Sequence, residues 1–463
     1  MTRFSPMLLG IACLIALLLA PIIIGSGLIV HPLAPFLIPI GAAAVVIILL
    51  YPFFGLFLLV LFAQLDALAN LIFSALPVSG VKVLALLTLA GVIINLKKER
   101  DTIKELLKEP AVIAMFFFCL FMGLSFFWAE NMEYAVWSVR RMASLMLLFV
   151  LTIVLVKTTK HLKYLLYCLA IAALMSSVLV IFDSTVGGNI LSSSDAATTA
   201  KWEGVSRSSG GSDYNPTTAA TMLLTGTLLA AILFIELPKL RFFMFMATLL
   251  GTAGIVLSFA RSAALVYAIV GIWIAWRYRH HKVFPLACYL GFFLCLAALP
   301  FIPEQYWERL ATLLGGGSDW TLGRRLGYNL IGVDLLVQNP LLGVGPGNFK
   351  EYYVSTEYRF VPGRTPLPRQ LHNMYLSVAV EFGLIAFSCL MFVILRGLHG
   401  LRAIANTDVE NDEFTSLVRA LFICFIAYLM ASVFVPNEYN KYTWILAGLS
   451  IAALRIRQKE SKT

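Results

Sequence analysis

The chain has 463 residues, of which 60% are hydrophobic and only 13% are charged, and its mean hydropathy is +0.86. This composition excludes an ordinary soluble domain, in which roughly 25% of residues are charged. The net charge of +10 does not indicate a nucleic-acid partner, because the basic residues lie mainly in short loops between apolar runs. We therefore expect an integral membrane protein that is surrounded by membrane lipids.

A membrane-spanning helix needs roughly 20 consecutive apolar residues. Runs of this kind recur along the chain and predict an all-α polytopic fold with about 12–14 transmembrane helices. Only Tyr51-Pro52 separates the second run from the third. The predicted spans are residues 7–29, 33–50, 53–70, 79–96, 111–128, 139–156, 164–183, 216–235, 241–259, 262–277, 283–301, 372–395, 414–435 and 441–455.

Lysines and arginines lie in every second short loop, a pattern typical of loops on the cytoplasmic side. This pattern predicts cytoplasmic termini and places two long segments outside, residues 184–215 and 302–371. We divide the chain into four parts on this basis. They are 1–183, N-terminal transmembrane helices; 184–301, transmembrane helices with an outer loop rich in Gly and Ser; 302–371, a long outer loop; and 372–463, C-terminal transmembrane helices with a basic cytoplasmic tail.

The long outer loop contains a helical pattern. Apolar residues recur at helical spacing from Leu322 to Leu336, and Asn339-Pro340 should end that helix. The aromatic pair Tyr306-Trp307, which follows Pro303, predicts the start of an interfacial helix. We expect the loop to form a lid of short helices over the bundle.

Two arginine sites are candidates for anion binding. Arg261 stands at the outer junction of two predicted spans, where an arginine is costly unless it faces a watery cavity or a bound anion. Arg324 and Arg325 lie near the start of the outer-loop helix, where the helix dipole also favours an anion. The alternatives are an arginine that reaches to lipid headgroups and an ordinary solvated basic pair.

His372 stands where the long outer loop returns to the membrane. The neighbouring Arg369 would disfavour the charged imidazole, so that the ring stays neutral and can accept a proton. The alternative is a structural histidine without a chemical role.

These candidates and Arg207, from the first outer segment, are all predicted to reach the same outer surface. Together they predict an anion-binding pocket with a candidate base, and a pyrophosphate-linked donor suits such a pocket. The seven cysteines lie in apolar segments without C-x-x-C spacing, so we expect neither a disulfide framework nor a zinc site.

At these residues the chain resembles the O-antigen ligase and polymerase superfamily of bacterial glycan-assembly membrane enzymes. The Ala260 and Ser262 positions depart from the usual S-R-G-A motif of the family. The matching segments are 323–349, similar to an arginine, a helix and a P-L-x-G-x-G-x-G-x-F run; 371–383, similar to H-N-x-x-L with a following E-x-G; 258–263, around the outer arginine; and 211–216, similar to a P-N start of a span in some members.

The resemblance implies an inverting, metal-independent glycosyltransferase of the C-type membrane architecture, without a cofactor, in the bacterial inner membrane. Its active site would face the periplasm. Its donor would be a glycan linked to undecaprenyl diphosphate, and its acceptor another glycan or a lipid-linked sugar. His372 would take the proton of the acceptor hydroxyl. Arg261 and Arg325 would hold the diphosphate, with Arg324 and Arg207 as further candidates.

Two questions stay open at the level of sequence. The motifs do not separate a ligase from a polymerase in the synthesis of O-antigen, exopolysaccharide or capsule. The alternative function is that of a lipid-linked oligosaccharide flippase or another multi-span transporter, although we find neither two related halves nor broken spans near the midplane. A structural membrane scaffold would leave the arginines and the histidine unexplained.

Overall fold

A computed structural model describes residues 34–72, 79–186, 191, 207–298, 320–407 and 412–460. These residues form α-helices and short 3-10 turns, and no strand occurs among them. The helices are α1 (Ala34–Leu50), α2 (Pro52–Gln64), α3 (Asp66–Ile72), α4 (Gly80–Ile94), α5 (Leu96–Leu106), α6 (Pro110–Ser125), α7 (Met132–Leu155), α8 (Thr159–Val186), α9 (Pro216–Glu236), α10 (Arg241–Leu257), α11 (Arg261–Tyr278), α12 (Phe284–Ala298), α13 (Trp320–Gln338), α14 (Phe349–Tyr353), α15 (Met374–Ala405), α16 (Glu413–Ala431) and α17 (Lys441–Glu460).

Six helical stretches in the described part of the chain are long and apolar enough to cross a membrane. The prediction of an all-α polytopic membrane protein is therefore confirmed. The larger number of about 12–14 spans stays a prediction, and the predicted span 7–29 and the interfacial helix start at Pro303 lie outside the described residues. The six stretches are Pro110–Trp128, Met132–Leu155, Thr159–Val186, Pro216–Glu236, Met374–Ala405 and Glu413–Ala431.

The second and third predicted spans form a bent pair. Gly41–Leu50 and Pro52–Gln64 meet at an angle of 119°, and only together are they long and apolar enough to cross a membrane. Tyr51-Pro52 lies at the break, as expected of a proline that fits the first turn of a new helix and not a helix interior. The predicted second half, 53–70, is further divided, because α2 ends at Gln64 and α3 begins at Asp66.

The core of the bundle is formed by apolar helices that approach each other through small side chains. Helix α17 is buried along most of its length, and so is α9. A Cβ added at Gly448 would lie 2.8 Å from Thr152, and one at Gly226 would lie 2.4 Å from the Cβ of Ala173. This close approach is typical of helix packing in membranes, where van der Waals contact replaces the hydrophobic effect.

The helix predicted in the long outer loop is confirmed as α13, which ends at Gln338, directly before Asn339-Pro340. Helix α15 is broken in its third turn, because Gly383 has φ 80° and ψ 169° inside the helix. The break leaves backbone groups of residues 380–384 available for hydrogen bonds outside the helix. Residues 340–347, which follow α13 and which we call the glycine-rich segment, pair with them. These two elements frame the candidate site.

Candidate active site

Three asparagines fix the helix starts at one end of the bundle. The side chain of Asn373 accepts hydrogen bonds from the backbone N–H groups of Tyr375 and Leu376, at 3.0 and 3.3 Å. Asn131 caps α7 and Asn215 caps α9 in the same way. An N-cap asparagine satisfies amides that the helix leaves unpaired. In the His-Asn pair, the asparagine thus caps α15 and thereby fixes His372 just before its first turn.

A three-residue turn places Arg261. Helix α10 ends at Leu257 and α11 begins at Arg261, so that Ser258, Phe259 and Ala260 form the whole connection. Phe259 has φ 52°, a left-handed conformation that non-glycine residues rarely adopt. The turn is held by the Ser258 hydroxyl, which accepts a 3.3 Å hydrogen bond from the Ala260 backbone N–H. Arg261 therefore has a fixed backbone position at the end of the bundle.

All five sequence-predicted site residues line one cavity of about 550 Å³, which we call the arginine cavity. Lys350 and Arg369 add two further cations to its wall. Among the described residues that line it, six are basic and none carries a carboxyl group. Its lining consists of Tyr134, Arg207, Asn215, Pro216, Thr217, Phe259, Ala260, Arg261, Ser262, Arg324, Arg325, Tyr328, Lys350, Pro368, Arg369, Gln370 and His372.

Arg207 is the most buried of the predicted arginines, with 9% of its surface exposed. Its Nε donates a 3.1 Å hydrogen bond to the backbone oxygen of Ser258, and its Nη2 donates to the Thr217 hydroxyl at 3.0 Å. It therefore joins the Gly/Ser-rich segment before α9 to the turn before Arg261 and to the start of α9. These two bonds give Arg207 a structural role in addition to its place in the cavity wall.

His372 is partly buried against α13. Its ring stacks on that of Tyr328, with centroids 5.4 Å apart and an interplanar angle of 28°. Burial lowers the pKa of His372 to about 3, and the charges of Arg325, Arg324 and Arg369 contribute in the same direction. The imidazole is therefore neutral at physiological pH, and Nδ1 has no hydrogen-bond partner among the described residues.

Lys350 joins the cavity from the short helix α14, and sequence reasoning missed it. Its Nζ lies 5.2 Å from the ring centroid of Tyr134 and 5.4 Å from that of Trp137. Burial lowers the pKa of Lys350, while the Glu381 charge opposes this shift. The available signal was its position directly after the glycine-rich run that ends at Phe349. Gln370 and Tyr328 carried no comparable sequence signal.

Comparison with known proteins supports the resemblance to O-antigen ligases for the part of the chain that contains most of the arginine cavity. Residues 244–391 match a family model described as O-Antigen ligase. The chain is also similar to a Rickettsia typhi protein named "Putative polysaccharide ligase", with 25% identity over 126 residues, which cover 26% of this chain and 28% of the relative. The family match contains Arg261, Arg325 and His372, whereas Arg207 lies before it. The resemblance inferred from the motifs is therefore confirmed, and the segment 244–391 is the part of the chain that is similar to the O-antigen ligase family.

Proposed function

We propose that this protein transfers a glycan from a lipid-diphosphate donor, of the undecaprenyl type, to a sugar hydroxyl during the synthesis of a cell-surface polysaccharide. The observation that carries this proposal is the arginine cavity, where six cationic side chains line about 550 Å³ beside a neutral histidine. A diphosphate supplies the negative charge that such a wall favours. An acceptor hydroxyl requires a proton acceptor, and His372 is the candidate.

The proposed mechanism of glycosyl transfer uses the neutral His372 as a base and the arginines as the groups that bind the diphosphate. His372 removes the proton of the acceptor hydroxyl while the oxygen attacks the anomeric carbon of the donor, and the bond from that carbon to the diphosphate oxygen breaks. The electron pair leaves with the diphosphate, whose growing charge Arg261 and Arg325 stabilise. Attack opposite the leaving group inverts the configuration at the anomeric carbon. No metal ion is required in this scheme, because the guanidinium groups balance the charge.

The proposed location follows from the positive-inside pattern. The alternation of basic loops supports an outer location for the helix ends that carry the arginine cavity. In a bacterial inner membrane this is the periplasmic side, with both termini in the cytoplasm. A ligase and a polymerase would share this chemistry and differ only in the acceptor.

The test is replacement of His372 by alanine in a strain that lacks the native gene. We expect loss of mature surface polysaccharide and accumulation of the lipid-linked donor on the periplasmic side, at unchanged membrane levels of the protein. His399→Ala is the matched control, because His399 is exposed on α15 and lines none of the cavities described. An unmodified acceptor indicates a ligase, and lipid-linked single repeats indicate a polymerase.

The transporter alternative gives a different result. A flippase that has lost a substrate contact leaves the lipid-linked donor on the cytoplasmic side. Normal polysaccharide in the His372→Ala strain would remove His372 as the base and contradict the proposed mechanism.

A further inference from the structure

A second cavity adjoins the arginine cavity and has the opposite chemical character. It has a volume of about 210 Å³ and is lined by three carboxyl side chains, those of Glu133, Glu381 and Glu438. We call it the acidic cavity. Tyr134, Lys350 and Gln370 line both cavities and form the partition between them. Each of these three side chains can therefore contact a molecule in either cavity.

The acidic cavity has aromatic walls. Trp137 and Tyr439 both line it, and their ring centroids lie 6.2 Å apart at an interplanar angle of 58°. Tyr134 lies in the partition, where Lys350 packs over its ring. Aromatic faces combined with a few fixed polar groups are typical of small-molecule sites, in which apolar contact gives area and polar groups give orientation.

Glu381 is one of the carboxyl groups in the wall of the acidic cavity, and its carboxyl group is already hydrogen-bonded to other parts of the protein. Its Oε2 accepts a 2.8 Å hydrogen bond from the Gly347 backbone N–H and a 3.2 Å bond from the Tyr439 hydroxyl. These partners belong to the glycine-rich segment and to the turn before α17. Glu381 therefore has a structural role, because it connects α15 to the glycine-rich segment and to the turn before α17.

Glu438 differs from Glu381 in having an unused oxygen. It is 2% exposed, its Oε1 accepts a 2.7 Å hydrogen bond from the Ser377 hydroxyl, and its Oε2 has no hydrogen-bond partner among the described residues. A buried carboxyl oxygen without a partner is costly, so the position indicates a ligand that supplies the missing bond. Ser377 and Glu438 line the cavity together.

We propose that the acidic cavity binds one neutral sugar ring, with Glu438 and Ser377 on its hydroxyl groups and Trp137 and Tyr134 against its carbon face. The inference rests on the proposed function, because the ring belongs to a glycan whose reacting end lies in the arginine cavity. A volume of about 210 Å³ is below the roughly 300–1,000 Å³ of sites for drug-sized ligands, which suits a single ring and not a chain.

The protonation of Glu438 suits a hydroxyl ligand. Burial raises the pKa of this carboxyl to about 8, and the nearby Glu381 adds to the shift. At neutral pH Glu438 therefore carries a proton and can both donate and accept a hydrogen bond, as a sugar hydroxyl does. Glutamine keeps a donor and an acceptor at this position, whereas leucine keeps only the volume.

The experiment measures binding directly, apart from transfer. The whole 463-residue chain in nanodiscs is titrated with a panel of methyl hexosides and a methyl N-acetylhexosaminide, and affinity is read by saturation-transfer difference NMR. We expect at least one glycoside to bind the wild type. Glu438→Leu and Trp137→Leu should each weaken its affinity by about tenfold or more, while Glu438→Gln keeps most of it. Glu357→Gln is the matched control, because Glu357 is exposed and lines neither cavity.

The glycoside-binding measurement does not depend on whether the protein catalyses transfer. His372→Ala should bind the same glycoside as the wild type while it loses transfer. Glycoside binding by a wild-type protein that catalyses no transfer would contradict the proposed function and leave the sugar site intact. Equal affinities in the wild type, Glu438→Leu and Trp137→Leu, or no binding of any glycoside to the wild type, would overturn the sugar site.

Discussion

The backbone N–H of Gly347 donates a 2.8 Å hydrogen bond to Oε2 of Glu381, and this bond joins the glycine-rich segment to the broken helix α15. Backbone bonds continue the junction, since the N–H of Val344 donates to Val380 and that of Gly345 donates to Glu381. The E-x-G and G-x-G-x-G motifs are therefore two halves of one structural joint. Lys350 follows the glycine-rich run and His372 precedes α15, so the joint connects two segments that both contribute to the arginine cavity.

The first prediction concerns the glycine at the centre of this joint. Gly343 has φ 71°, and a Cβ there would lie 2.6 Å from backbone atoms of Val380, Glu381 and Gly383. We expect Gly343→Ala to destabilise the protein by more than about 2 kcal/mol, because left-handed strain adds to a backbone clash. The measurement is the apparent melting temperature by fluorescence-detected size-exclusion chromatography.

Gly123→Ala is the control for this prediction. Gly123 lies inside helix α6, and a Cβ there would meet nothing within 4 Å. Alanine is favoured over glycine in a helix by roughly 0.5–1 kcal/mol, so this variant should melt at the same temperature or above it. Equal melting temperatures for Gly343→Ala and the wild type would show that the joint is not rigid.

The second prediction concerns the basicity of His372. In the free protein its pKa is about 3, because the ring is buried and Arg325, Arg324 and Arg369 lie near it. Pyrophosphate bound among these arginines should cancel part of their repulsion and raise the pKa. The histidine would then become a stronger base when the donor is in place.

The measurement is ¹³C NMR of the His372 ring as pH is lowered, with His372→Gln used to assign the signal among the six histidines. Without pyrophosphate the ring should stay neutral from pH 7 to about pH 4, since protonation occurs only near the lowered pKa. With pyrophosphate the midpoint should move to higher pH. A midpoint near 6.5 in the free protein would contradict the proposed effect of the arginines and of burial.

The positions of the predicted site residues could be inferred from the sequence because each stands at a polar junction of apolar helices. Arg261, Arg325 and His372 are costly at a membrane boundary unless they face a water-filled cavity. Hydropathy and the charges of the loops predicted that all three lie at the same end of the helix bundle. The break of α15 at Gly383 was not predicted, because a glycine in an apolar run gives no sign of its φ angle. Glu438 was also missed, since its importance depends on Ser377, 61 positions away.

The third prediction separates Arg325 from its neighbour Arg324. Both line the arginine cavity, and the spacing of the motif favours Arg325 as the diphosphate ligand. We expect Arg325→Gln to weaken pyrophosphate binding about tenfold or more, because a charge-assisted hydrogen bond is lost. Arg325→Lys should restore affinity only in part, since lysine keeps the charge without the planar pair of donors.

Isothermal titration with pyrophosphate measures this effect. Arg359→Gln is the control, because Arg359 is exposed, packs over the Phe360 ring and does not line the arginine cavity. A larger loss in Arg324→Gln than in Arg325→Gln would exchange their roles. Unchanged affinity in both variants would remove this pair from the diphosphate site.

The fourth prediction concerns the ion pair that anchors Ser212 and Asp213, near the end of the Gly/Ser-rich segment. Lys441 Nζ donates to Asp66 Oδ2 at 2.9 Å, and the other oxygen of Asp66 accepts bonds from the Asp213 backbone N–H at 2.8 Å and the Ser212 hydroxyl at 3.2 Å. Their side chains are only 10% and 18% exposed, for Asp66 and Lys441 respectively. Removal of one partner leaves a largely buried charge without compensation.

We therefore expect Lys441→Met to destabilise the protein by about 3–5 kcal/mol, and Asp66→Asn combined with Lys441→Met to recover most of that loss. Asparagine keeps the oxygen that accepts from Asp213 and Ser212 but carries no charge. The control is Lys239→Met, because Lys239 is exposed and no salt bridge to it is found in the described chain. If the double variant melted no higher than Lys441→Met, the loss would come from the packing of the lysine stem and not from the unpaired carboxylate.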